Sequence, residues 1–158
     1  MKIIKKLINV LTTLIIVVGG LVLALYAFGI TPYVVLSGSM EPTIEVGSLC
    51  FVDSDYNYKK VKEKDIIAFR LDNNTLVTHR VNSITDEGIV TKGDANKMVD
   101  GVVITKSNYV GKNIFWIPKL GYVVVAFQST RGKIILATCV LLLFVSGFLF
   151  GEDEKKMK

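Results

Sequence analysis

Two long apolar runs bracket a stretch of short, alternating ones. Residues 7–30 hold 24 positions without a charge, and residues 134–150 hold 17 more. A helix rises ~1.5 Å per residue, so about 20 residues cross the ~30 Å hydrocarbon layer of a bilayer. The first run is long enough to span, and the second stands near the lower limit. Between them no segment sustains a helical period. Residues 48–52, 66–71, 76–84, 89–91, 102–105 and 109–117 are instead short and rich in β-branched and aromatic side chains. Turn signals separate them: Asp72-Asn73-Asn74-Thr75, Asp86-Glu87-Gly88 and Lys92-Gly93-Asp94. Residues 66–71 and 76–81, joined by four polar residues, read as a hairpin. The pattern predicts a mostly β body, a small sheet or partial barrel, flanked by N- and C-terminal transmembrane helices.

Five segments follow: a cytoplasmic N-terminus (1–6), an anchor (7–30), an extracytoplasmic β domain (31–133), a second span (134–150) and a cytoplasmic tail (151–158). Orientation rests on the lysines. Lys2, Lys5 and Lys6 precede the first run and Lys155, Lys156 and Lys158 follow the second, against Arg131 and Lys133 on the other side. A cleaved secretory leader is the rival reading of the N-terminus, but its apolar core would be only ~7–15 residues long. Leu120–Gln128 fits either a last strand or an interfacial helix. Phe115 and Trp116 suit either the membrane interface or the core.

Charge and cysteine usage narrow the function. The net charge is +5, yet residues 31–133 carry 13 basic and 11 acidic side chains and no basic stripe, which argues against nucleic acid as a partner. Cys50 and Cys139 lie in apolar surroundings in different segments and read as small hydrophobes. No metal-ligand spacing occurs, so neither metal nor cofactor is expected. Asn73-Asn74-Thr75 matches a glycosylation acceptor, a pattern short enough to arise by chance.

Three segments carry candidate chemistry. In Ser37-Gly38-Ser39-Met40-Glu41-Pro42-Thr43, Gly38 offers unusual backbone freedom and Pro42 biases Glu41 toward an extended shape. The expected result is a stiff turn presenting Ser39 beside backbone N–H groups, as acyl transfer requires. A serine needs a base, and the single histidine, His79, falls on the Val77–Val81 face of a predicted strand. Imidazole is the natural general base near neutrality. The loop Lys92-Gly93-Asp94-Ala95-Asn96-Lys97-Met98-Val99-Asp100 adds two carboxylates, either of which could orient that ring. Each segment also has a plain structural reading: a turn, a core histidine, a solvated acidic loop.

Together and in this order, the three resemble a family. Ser37–Thr43 looks like the nucleophile box of type I signal peptidases. Glu63-Lys64-Asp65-Ile66-Ile67-Ala68-Phe69 is similar to the family's next strand, with Lys64 where the family has glycine. The loop through Gly93 and Asp100 resembles its acidic box. His79 before Arg80-Val81, where bacterial-type members have lysine, points to the ER-type serine–histidine branch (SipW-like). The resemblance implies a membrane-bound serine endopeptidase that removes signal peptides from exported preproteins. It implies Ser39 as nucleophile, His79 as base, Asp100 as the acidic partner with Asp94 in support, and Ser37 assisting the oxyanion hole. The implied partners are signal peptides of secretory preproteins and the lipid bilayer, at the cell membrane. Two alternatives remain: a non-catalytic tethered β domain that binds or escorts exported proteins, and a serine protease whose base is Lys92 or another lysine, with His79 structural.

Overall fold

A computed structural model of the chain describes residues 2–155. Two compact units divide it: the chain up to Leu25 with that from Ala126 onward, and the body Tyr26–Val125.

The first unit is helical. Helix α1 (Lys2–Ala27) contains no proline and is built largely from Leu, Ile and Val. Its side chains at Leu7, Val10, Leu14, Val17 and Leu21 are all exposed, an arrangement that water disfavours and a bilayer accepts. Among the described residues one helix, Lys6–Ala27, is long and apolar enough to cross a membrane by itself. Helix α3 (Thr130–Lys155) contains the second predicted span. It reaches the same standard only when its first half is taken with α2 (Leu120–Gln128), from which a break at Ser129 separates it. Lys156 and Lys158 of the expected tail lie outside the described residues.

The helix α1 stops three residues before the predicted end of the anchor. Gly29 takes φ +71°, the left-handed conformation that closes helices, and its N–H donates to Tyr26 O at 3.1 Å. Ile30 therefore opens a strand rather than ending a span.

Seven strands form one antiparallel sheet in the body: β1 (Ile30–Val34), β2 (Leu49–Asp53), β3 (Ile66–Arg70), β4 (Leu76–Thr85), β5 (Gly88–Lys92), β6 (Val103–Ile104) and β7 (Tyr109–Ile117). Their spatial order is β1-β2-β7-β3-β4-β5-β6. The sheet is open, with β1 and β6 as free edges, and so is not a closed barrel. Pro32, which cannot donate to a ladder, sits in the edge strand β1. Strands β2 and β3 are buried at four successive positions, as expected where both faces are covered. One core joins Val61, Ile67, Phe69, Val81, Ile89 and Ile104; the other joins Met40, Ile44, Cys50 and Ile66. Trp116 packs against the second core, while Phe115 stacks on Phe51 at 4.2 Å and stays partly exposed. Leu120–Gln128 is helical.

Candidate active site

Ser39 sits in a 3₁₀ turn, Gly38–Met40, held from both sides. Met40 and Ile44 are buried in the second core, and Ile44 N–H donates to Met40 O at 2.9 Å. From the other side the loop after β5 reaches across, where Ala95 N–H donates to Ser39 O at 2.9 Å. Gly93 allows that approach, because a Cβ there would lie 2.6 Å from Ser39 O. Glu41 is extended ahead of Pro42, as the sequence predicts. Gly38 corrects an expectation. Its φ is not positive, and what it supplies is space: a Cβ would come within 3.2 Å of the Glu41 carboxyl carbon, which folds back over it.

His79 reaches the same place from β4. It pairs across the sheet with Ile67, and the Phe69 ring stands edge-on to it at 6.2 Å. Its side chain is 10% exposed. Nε2 lies 3.0 Å from Ser39 Oγ, and Nδ1 lies 2.6 Å from Asp100 Oδ2. A carboxylate offers only acceptors, so Nδ1 carries the ring proton. Nε2 then turns its lone pair toward the Ser39 hydroxyl, the orientation a general base needs. Ser37 Oγ lies 3.4 Å from Ser39 Oγ.

The two carboxylates of the loop part company. Asp100 meets His79, whereas Asp94 meets Arg80, the next residue along β4. Arg80 Nε donates to Asp94 Oδ1 at 2.8 Å and Nη2 to Oδ2 at 2.6 Å. These bonds hold the Asp94 carboxyl below the usual carboxylate range, although partial burial opposes them. The same pairing pushes the Arg80 guanidinium further up. Arg80 also donates to Lys64 O at 3.1 Å. The pair thus ties the strand carrying His79 to the loop that grips Ser39. Sequence reasoning assigned Arg80 no role; its position beside the histidine, on the opposite face of the strand, was the available signal.

A groove of about 600 Å³ opens beside these residues. One wall comes from β1 and its extension through Ser37, and the other from Thr75 and the first residues of β4, Leu76 to His79. Tyr33, Met40, Ile44, Cys50 and Val77 make its lining mostly apolar. Burial pushes the Cys50 thiol up to about 11, which keeps it protonated and inert. Among the described residues no group of three or more His, Cys, Asp or Glu converges as a metal site would require.

Residues 6–113 match the family described as signal peptidase, peptidase S26. Over 85 residues the chain is 42% identical to signal peptidase I W of Bacillus subtilis, a stretch covering 51% of this chain and 45% of that protein. Over 133 residues it is 29% identical to the signal peptidase complex catalytic subunit SEC11 of Debaryomyces hansenii, covering 75% and 77%. The SEC11 subunit of Lodderomyces elongisporus is 30% identical over 111 residues, covering 62% and 66%. The matched stretch thus spans less than half of the Bacillus protein and about three quarters of the Debaryomyces one.

Proposed function

Because the chain belongs to the signal peptidase family, peptidase S26, we propose that it is a membrane-anchored serine endopeptidase removing signal peptides from exported preproteins. One observation carries the mechanism: the chain Ser39 Oγ, His79 Nε2, His79 Nδ1, Asp100 Oδ2, with contacts of 3.0 and 2.6 Å, bordering an apolar groove. His79 takes the Ser39 proton as Oγ attacks the scissile carbonyl, and Asp100 stabilises the imidazolium that forms. The Ser39 N–H and the Ser37 hydroxyl face the oxyanion. The imidazolium then protonates the leaving amine, which frees the mature protein and leaves the signal peptide as an ester on Ser39. Water, activated by the same ring, hydrolyses that ester. Lys92 plays no part in this scheme, since the hydroxyl of Ser39 already has a base at hydrogen-bond distance.

The substrate lies extended between the two groove walls, adding its backbone to exposed strand edges. Small residues are expected just before the cut, where the substrate passes Tyr33, Met40 and Ile44 of the groove lining. Helix α1 anchors the enzyme in the cell membrane, α3 returns the chain through it, and the body is extracytoplasmic. Confining enzyme and preprotein to one bilayer raises their effective concentration.

The test is cleavage of a preprotein by the full chain in lipid vesicles, with the new N-terminus identified by mass. Wild type should cut once, after small residues, and Ser39→Ala should lose about 10⁶-fold in rate. A Ser39→Ala protein that cleaves at the wild-type rate sinks the reading.

A further inference from the structure

Asp100 has a second donor that the mechanism does not use. Thr91, in β5, is fully buried, and its Oγ1 donates to Asp100 Oδ2 at 2.6 Å. That oxygen is the same one that accepts His79 Nδ1–H, also at 2.6 Å. The two residues are joined a second time through the backbone, where Asp100 N–H donates to Thr91 O at 2.8 Å. A threonine hydroxyl placed inside a sheet for packing alone leaves its polar atom to be satisfied by whatever lies near. Here it lies on the one carboxylate oxygen in contact with the proposed base.

Resting on the catalytic reading above, we propose that Thr91 is a positioning residue of this site, whose hydroxyl aims the Asp100 carboxylate at His79 and takes a share of its negative charge. Two consequences follow. Without the hydroxyl the carboxylate is held only through its backbone and by the ring itself, so the His79 ring is less firmly oriented toward Ser39. The carboxylate oxygen also becomes a stronger acceptor, so the charged ring is stabilised relative to the neutral one. Asp100 lies on the Nδ1 side of the ring, and the Arg80–Asp94 pair stands next to it along β4 and the loop. That pair is untouched when Thr91 is altered.

Valine replaces the hydroxyl with a methyl group of similar volume, and serine restores it. Because His79 is the single histidine of the chain, its ring protons can be followed by NMR in the untagged full-length protein in micelles. Thr91→Val should lower kcat/KM by about tenfold at neutral pH, as expected for losing a hydrogen bond to a charged group. It should also move both the His79 titration and the acid limb of kcat/KM upward, because the carboxylate then favours the charged ring more. Thr91→Ser should return both toward wild type. A merely structural threonine would lower the amount of active enzyme equally at every pH and leave the titration in place. An unmoved His79 titration in Thr91→Val, or a downward one, overturns the proposal even if activity falls. Ser39→Ala serves as the control: if wild-type cleavage does not depend on Ser39, the catalytic reading has failed and takes this inference with it. If it does depend on Ser39 and Thr91→Val behaves as wild type, only this inference fails.

Discussion

Removing the charge of Asp94 should loosen the body in a way that depends on pH. Asp94→Asn keeps the shape of the side chain but leaves the Arg80 guanidinium without its anionic partner. The magnitude follows from the geometry. The bonds are paired and short, 2.8 and 2.6 Å, and the side chains of Arg80 and Asp94 are 31% and 16% exposed. Fully exposed ion pairs contribute ~0.2–1 kcal/mol, and breaking a fully buried one costs about 3–5 kcal/mol. A half-sheltered bidentate pair falls between these, at about 2 kcal/mol. With a urea dependence of ~1–3 kcal/mol per molar, the unfolding midpoint should drop by about 1 M. The single tryptophan, Trp116, packs against the core beneath Ser39 and reports the transition by its fluorescence. The sign with pH is fixed by the direction of the Asp94 shift. Its folded carboxyl lies below the ordinary value, so its contribution is complete above the unfolded pKa of ~3.9 and is lost as pH falls through the lower folded value. Wild type and Asp94→Asn should therefore differ most near neutrality and converge in strong acid. Equal midpoints at pH 7, or a gap that widens on acidification, would refute the reasoning.

Three further outcomes are expected. Gly93→Ala places a methyl group 2.6 Å from Ser39 O and 2.8 Å from Asn96 Nδ2; the loop must shift, and cleavage per folded molecule should fall at least ~10-fold, with a stability loss of ~1–3 kcal/mol. Lys64 holds φ +71° with an exposed side chain, so Lys64→Gly should raise stability by ~0.5–1 kcal/mol, the relieved strain exceeding the added chain entropy; an unchanged or lowered urea midpoint would contradict this. In a Cys139→Ser background, Cys50 should resist maleimide at pH 8, where a thiol with a pKa of about 11 is ionised to only ~10⁻³, and should react once urea unfolds the body.

The sequence pattern located six of the seven strands because each is a short apolar run between turn residues, and periodicity reads those directly. Strand β1 escaped because Ile30 continues the apolar run of the anchor without a break. Only Gly29, in its left-handed conformation, marks where helix gives way to strand. The turn that carries Ser39 and the face that presents His79 were legible as a Gly/Pro motif and as strand alternation. The residues alone left Asp94 and Asp100 open, since they lie six apart in one loop; the resemblance implied Asp100 as the partner of the ring, and that Asp94 meets Arg80 instead is decided only by the fold. Thr91 was invisible for a similar reason: in sequence it is a β-branched residue in a strand. Lys64 runs the other way. Its backbone is left-handed, a conformation that glycine adopts at no steric cost and lysine does not.

The central claim is that His79 withdraws the Ser39 proton, and the pH dependence of cleavage by wild type and His79→Ala tests it most directly. A neutral ring is required, so wild-type kcat/KM should fall along a single limb as acid charges His79. His79→Ala should lose roughly 10⁶-fold, and that limb should vanish from its residual rate. A lysine base would need its pKa lowered by more than ~3 units from about 10.4 to act at neutral pH. If His79→Ala cleaves preprotein at the wild-type rate and keeps the same acid limb, His79 is not the base, and the account of this site is wrong.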